Sequence, residues 1–204
     1  MPLAYKDNSM KRVFLGLTIA LSAAVSSCVD LTFHTMVKDN GSGTINVEAL
    51  LDPSISEMYK ESKSHERGHS HGDIHGVRVT KTEEGVNKDG RYFVRVQGQF
   101  DSFEGLSEDE LSYRMQKNGN ETTYRIRFVN DNQASDESEE MDDVMGEQMM
   151  KMMFGERTIQ YKLSVPGRII KHNASQVNGQ TLTWEMSFMT WIKEGLNMEV
   201  TCSR

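Results

Sequence analysis

The sequence predicts an α+β fold, one domain in which a mostly antiparallel sheet carries about three packed helices. Three observations lead there. Segments of apolar and polar alternation, the period of a strand, crowd both ends of the chain and are separated by Asn-Gly or Pro-Gly turns. Three helix starts are marked by capping residues. Strands and helices do not alternate regularly, as a parallel βαβ sheet would require.

Taken in order, Leu31, Phe33 and Val37 lead into Asp39-Asn40-Gly41-Ser42-Gly43, after which Ile45, Val47 and Ala49 alternate with polar residues. Asn-Gly supplies the positive φ angles of a tight turn, so this is a hairpin and it uses up the Gly41-Ser42-Gly43 glycines. Behind Pro53, Ser54 with Glu57 makes a capping box, and Ile55, Met58 and Tyr59 give the first helix a core-facing stripe. Residues 60–90, rich in His and Gly, form a loose loop. Tyr92, Val94, Val96 and Phe100 make the next strand. Ser107 with Glu110 repeats the capping box, with Leu106 and Leu111 placed as its hydrophobic staple, and starts a second helix. Tyr124, Ile126 and Phe128 form another strand, and residues 130–138 a second loose stretch. The third helix, residues 136–154, begins near Asp136 and Glu139, whose charges suit the positive end of a helix dipole. Ile159, Tyr161, Leu163 and Val165 precede Pro166-Gly167, two strands flank Asn178-Gly179, and Leu182, Trp184, Met186 and Phe188 close the alternation. Cys202 falls in a short C-terminal tail, where weak order is expected.

The start of the chain carries an address. Lys11-Arg12 precede an apolar run over residues 13–25, too short to span a bilayer, and Ser26-Ser27-Cys28 follow. This arrangement resembles the bacterial lipoprotein signal, in which the cysteine thiol is acylated and becomes the first residue of the mature protein. Residues 1–27 are then a leader, with either Met1 or Met10 as the start, and residues 28–204 the domain. Removing the leader leaves 20 basic against 29 acidic residues, a formal −9. Anionic lipid and nucleic acid repel such a surface, so nucleic acid is excluded as a partner and membrane contact falls to the lipid on Cys28. An acylated Cys28 leaves Cys202 without an intramolecular partner, which excludes a disulfide framework. Val29 rather than an acid follows Cys28, which favours the outer membrane where a cell has one. The Asn120-Glu121-Thr122 and Asn173-Ala174-Ser175 triplets match a glycosylation acceptor by chance in such a protein.

Two residue clusters could carry chemistry. His65-Glu66-Arg67-Gly68-His69-Ser70-His71-Gly72-Asp73-Ile74-His75 fits HExxHxxGxxH and is similar to the metzincin zinc-peptidase motif. That resemblance implies His65, His69 and His75 as zinc ligands, with Glu66 as general base on the metal-bound water. The surroundings argue for less. Glu61-Ser62-Lys63-Ser64 offers no apolar face to bury a ligand helix, about 37 residues of mature chain precede His65, and Met115 follows a capped helix rather than a tight turn. Simple binding of zinc, copper or nickel by His65, His69, His71 and His75 remains, beside a solvated polar loop, which is the preferred reading. The second cluster is Met141, Met145, Met149, Met150, Met152 and Met153, which draws an apolar face on the third helix. Thioethers bind Cu(I), but ordinary packing or a greasy ligand groove is the better use. The acids around Asp142 and Asp143 lie on its solvated side. There is no phosphate loop, no GxSxG elbow and no CxxC.

Both ends of the domain resemble the LppM-type bacterial lipoprotein domain. The residues that carry the likeness are Cys28, the turn Asp39-Asn40-Gly41-Ser42-Gly43, and the closing stretch Tyr161-Lys162-Leu163, Pro166-Gly167, Asn173-Ala174, Asn178-Gly179 and Leu182-Thr183-Trp184. The resemblance implies an α+β domain tethered by its lipid, with a cavity for lipid-like ligands; the C-terminal membrane helix that some relatives carry is not expected here, a departure that leaves the acyl group as the expected anchor. The functional expectation is a non-enzymatic envelope lipoprotein that binds an apolar or lipid-like ligand or an envelope partner, walled by Trp184, Phe188, Met149 and Met153. The alternative is a zinc protein built on the histidine loop, in its strongest form a peptidase using Glu66.

Overall fold

The structure, a computed structural model, describes residues 29–51, 75–108, 111–128 and 157–203. Among them eleven strands form two stacked sheets: β1 (Val29–Val37), β2 (Gly43–Leu51), β3 (Arg78–Val86), β4 (Tyr92–Phe100), β5 (Leu111–Asn118), β6 (Glu121–Phe128), β7 (Thr158–Ser164), β8 (Arg168–His172), β9 (Gln176–Asn178), β10 (Thr181–Ser187) and β11 (Leu196–Ser203). One short helix, α1 (Phe188–Glu194), joins the last two. Among the described residues 69% are strand and 7% helix, a mostly β fold, which corrects the α+β expectation. The larger sheet runs β3-β4-β2-β1-β7-β10-β9 and the smaller β5-β6-β11-β8. The β1–β7 pairing is parallel, and the others among the described residues are antiparallel.

The helix expected from Ser107 is a strand for a local reason. Ser107 follows a single 3-10 turn, Glu104–Leu106, and its hydroxyl accepts from the Tyr113 N–H at 2.8 Å and donates to the Tyr113 carbonyl at 3.0 Å. A serine can satisfy backbone groups in a turn as well as in a cap, so the string alone does not choose. Leu111, Tyr113 and Met115 then alternate inward along β5. Conversely, the strand expected to end at Phe188 stops one residue earlier. Ser187 caps α1, its Oγ accepting from the Thr190 N–H at 3.0 Å. Residues 78–86, expected within a loose loop, are edge strand β3, whose largely exposed side chains leave little alternation to read. The expected tail around Cys202 is β11, inside the smaller sheet, with the Cys202 thiol buried and donating to the Thr122 carbonyl at 3.6 Å. The helices expected at Ser54 and over residues 136–154 lie outside the described residues.

The core fills the space between the sheets. Phe103 stands edge-on to Tyr113 and Tyr124, with centroids 5.3 and 5.4 Å away, and Ile126, Leu182 and Val200 are fully buried. Each such side chain is worth about 1.5–3 kcal/mol of burial. One polar chain crosses this apolar layer. Thr35 Oγ1 lies 2.8 Å from Tyr161 Oη, and Tyr161 donates to Tyr113 Oη at 3.5 Å, linking the larger sheet to the smaller. Burial holds both phenols above their ordinary pKa. Outside, Lys81, Glu83, Arg95 and Glu48 form an ion-pair ladder across β3, β4 and β2, and Arg125 pairs with Glu199 at 2.6 Å across β6 and β11.

Candidate functional site

Strand register defines one end of the larger sheet. Val29 opens β1 opposite Leu51, Leu51 faces Tyr92, and Tyr92 faces Val86. On the other side of β1, the Phe188 N–H donates to the Arg157 carbonyl at 2.9 Å, two residues before the Leu31–Ile159 pair. Val86, Tyr92, Leu51, Val29, Arg157 and Phe188 therefore make the last row. The α1 helix packs at its β10 end, with the Trp191 ring centroid 5.3 Å from that of Phe128 and 5.5 Å from that of Phe188. Beneath lies a small second core of Leu31, Ala49, Ile159 and Phe188, flanked by Phe33, Met186 and Trp191.

The inner face next to this end is apolar and only partly covered. Two successive rows read Val94, Ala49, Leu31, Ile159 and Val96, Val47, Phe33, Tyr161. Ala49, Leu31, Ile159 and Tyr161 are buried, whereas Val94, Val96, Val47 and Phe33 are half-buried. The two sheets differ in width, seven strands against four. Exposed Thr82 and Glu84 on β3 border the row. Such a strip can accept an apolar chain lying across the strands.

The rim is held by charge and by a rigid turn. The Asp30 carboxylate bonds Arg91 at 2.6 Å and has Arg157 at 3.8 Å, and Arg91 also donates to the Leu50 carbonyl at 3.1 Å. In the β3–β4 turn, Asn87 Oδ1 accepts from the Asp89 and Arg91 N–H groups at 3.0 and 2.9 Å, and Gly90 takes φ 77°. Glycine is needed at that angle because a Cβ would be strained there.

A serine and a histidine also meet, on the outer face. His34 Nε2 lies 2.9 Å from Ser164 Oγ, which lies 2.7 Å from Thr181 Oγ1. Burial, and then Lys162, lowers the His34 pKa. The pair stands on interior strands β1 and β7, whose N–H groups are engaged in the ladder, so none is left to hold an oxyanion. It serves as a hydrogen-bonded cross-strand pair.

The residues singled out from sequence fall as follows. Trp184 belongs to the larger core, 5% exposed, with its indole N–H donating to Asn173 Oδ1 at 2.9 Å. Phe188 lies in the smaller core at the closed end, so the two do not share one cluster. His75 is exposed in the turn before β3, and among the described residues no three His, Cys, Asp or Glu side chains gather as a metal site. Cys28, His65, Glu66, His69, His71, Met149 and Met153 lie outside the described residues. Alternation places the half-buried Phe33, Val47, Val94 and Val96 on strands but does not mark them as a ligand wall. Alternation finds an inward residue and carries no information on how completely the opposite sheet covers it.

No protein-family model matches the chain, and no curated protein matches it. Among solved structures it is similar to the folded domain of LppM from Mycobacterium tuberculosis, determined by NMR, at 10% identity and a TM-score of 0.48, over 87% of this chain and 91% of that one.

Proposed function

We propose that this protein is an exported envelope lipoprotein, held to a membrane by a lipid on Cys28, whose sandwich binds an apolar or lipid-like ligand and catalyses no reaction. The observation that carries the tether is the string from Lys11-Arg12 through the apolar run to Ser26-Ser27-Cys28, placed directly before Val29, where β1 begins. A leader that is cut at Cys28 delivers a chain whose next residue is already strand. The half-buried strip of Phe33, Val47, Val94 and Val96 supports the ligand reading, with Phe188 and Leu31 as its closed end. Burying an acyl chain there gains about 0.8 kcal/mol per methylene, so a strip long enough for several methylenes gives useful affinity without any charged contact.

The test has two arms. Full-length protein made in a host that processes lipoproteins should give an intact mass of residues 28–204 plus a diacylglyceryl group, and Cys28→Ala should abolish that mass. Titration with a fluorescent polyene fatty acid should saturate, and Val96→Lys should weaken binding at least tenfold with unchanged circular dichroism. An intact mass that begins at Met1 or Met10 sinks the tether; no binding, and no co-purifying apolar molecule, sinks the ligand.

A further inference from the structure

We propose that the end of the sandwich formed by the last row, α1 and the β3–β4 turn is a membrane-docking face, seated on the phospholipid headgroups of the bilayer that holds the Cys28 lipid. This rests on the tether reading above. Cys28 is bonded to Val29, the first residue of β1, and consecutive Cα atoms are about 3.8 Å apart. The lipid-bearing residue is thus one step from a rigid sheet. A long flexible linker lets a domain turn any face to the membrane, whereas a single peptide link does not.

What surrounds that step suits a bilayer surface. Val86 shares the last row with Val29, three strands away, roughly 14 Å at the usual strand spacing. It is 59% exposed, the highest value among the exposed large hydrophobics, at the mouth of a turn that Asn87 holds stiff. On the opposite flank Trp191 is half-buried beside Phe128, and indoles at a rim are favoured at headgroup depth.

The experiment uses the full-length, lipid-bearing protein in vesicles of phosphatidylethanolamine and phosphatidylglycerol. Lys88→Cys places a thiol on the rim and Asn40→Cys one on the β1–β2 turn at the opposite end; each is labelled with a polarity-sensitive fluorophore. Cys202, 1% exposed, stays unlabelled in the folded protein. The expected result is a blue shift of the rim probe on reconstitution and quenching by nitroxide lipids at least threefold stronger than at position 40. Adding Val86→Asp to the rim-labelled protein should reduce that quenching at least twofold with its lipid mass and circular dichroism unchanged. Equal quenching at both positions in protein of confirmed lipid mass, or no effect of Val86→Asp, overturns the docking face and leaves the tether standing. Absence of the lipid mass overturns the tether, and the docking face with it.

Discussion

Replacing Thr35 by Val removes a fully buried hydroxyl while keeping the shape and branching of the side chain. In the folded protein that hydroxyl is the nearer partner of Tyr161 Oη, at 2.8 Å against 3.5 Å for Tyr113. Thr35→Val therefore leaves a phenol in the core with one long bond. Tyr161→Phe does more, since it strips the shared partner from both Thr35 and Tyr113. A buried polar group deprived of its partner costs about 1–3 kcal/mol, whereas replacing both members by apolar groups is close to neutral. Thr35→Val should thus cost about 1 kcal/mol and Tyr161→Phe about 2 kcal/mol, while the double variant should lose at least about 1 kcal/mol less than their sum. For a domain of this size about 1 kcal/mol moves Tm by roughly 2–4 °C. Urea denaturation at matched m-values gives the four free energies of the cycle. Additivity to within about 0.5 kcal/mol would show that the Thr35 and Tyr161 hydroxyls do not act as a coupled pair.

Further expectations concern pH, packing and the thiol. Burial and Lys162 hold His34 below its ordinary pKa of 6.5. The unfolded chain then binds more protons, so stability from this group is complete above that value and declines as pH falls toward the folded pKa. His34→Gln should flatten the decline below pH 6.5, and an unchanged slope would remove the group from the account. The opposite sign holds for Tyr113 and Tyr161, raised by burial: stability falls as pH climbs past 10.0, and both should ionise above the range of an exposed tyrosine in an absorbance titration. A Cβ at Gly43 would overlap the Met36 carbonyl oxygen and the Phe100 ring. Gly43→Ala should cost about 3 kcal/mol or more, read as a lower urea midpoint. Cys202 should resist a disulfide-type thiol reagent in the native protein and react at once when unfolded; fast native reaction would contradict its place in β11.

The strands legible in the sequence are those with one face on the core and one in water. β1, β2, β4, β6, β7 and most of β10 show the two-residue period between turn residues, and their positions agree with the structure. β3 was not legible because, at the edge, it is exposed on both faces. β11 was hidden by position, since a stretch three residues from the C-terminus reads as a tail until it is seen paired with β6 and β8. Ser107 and Ser187 show the limit of cap signatures. Each serine bonds backbone groups a few residues on, and the fate of the chain beyond depends on whether Tyr113 or Phe188 finds its place on a sheet or in the small core.

The sequence by itself determined the turns and, in the alternating strands, which side chains face inward, because backbone geometry ties both to local residue order. Only the tertiary structure decided that the inward faces belong to two sheets of unequal width. Cover is a property of the pair, not of either strand, so the burial of Tyr161 and the half-exposure of Val96 in the same row could not be read from their shared alternation.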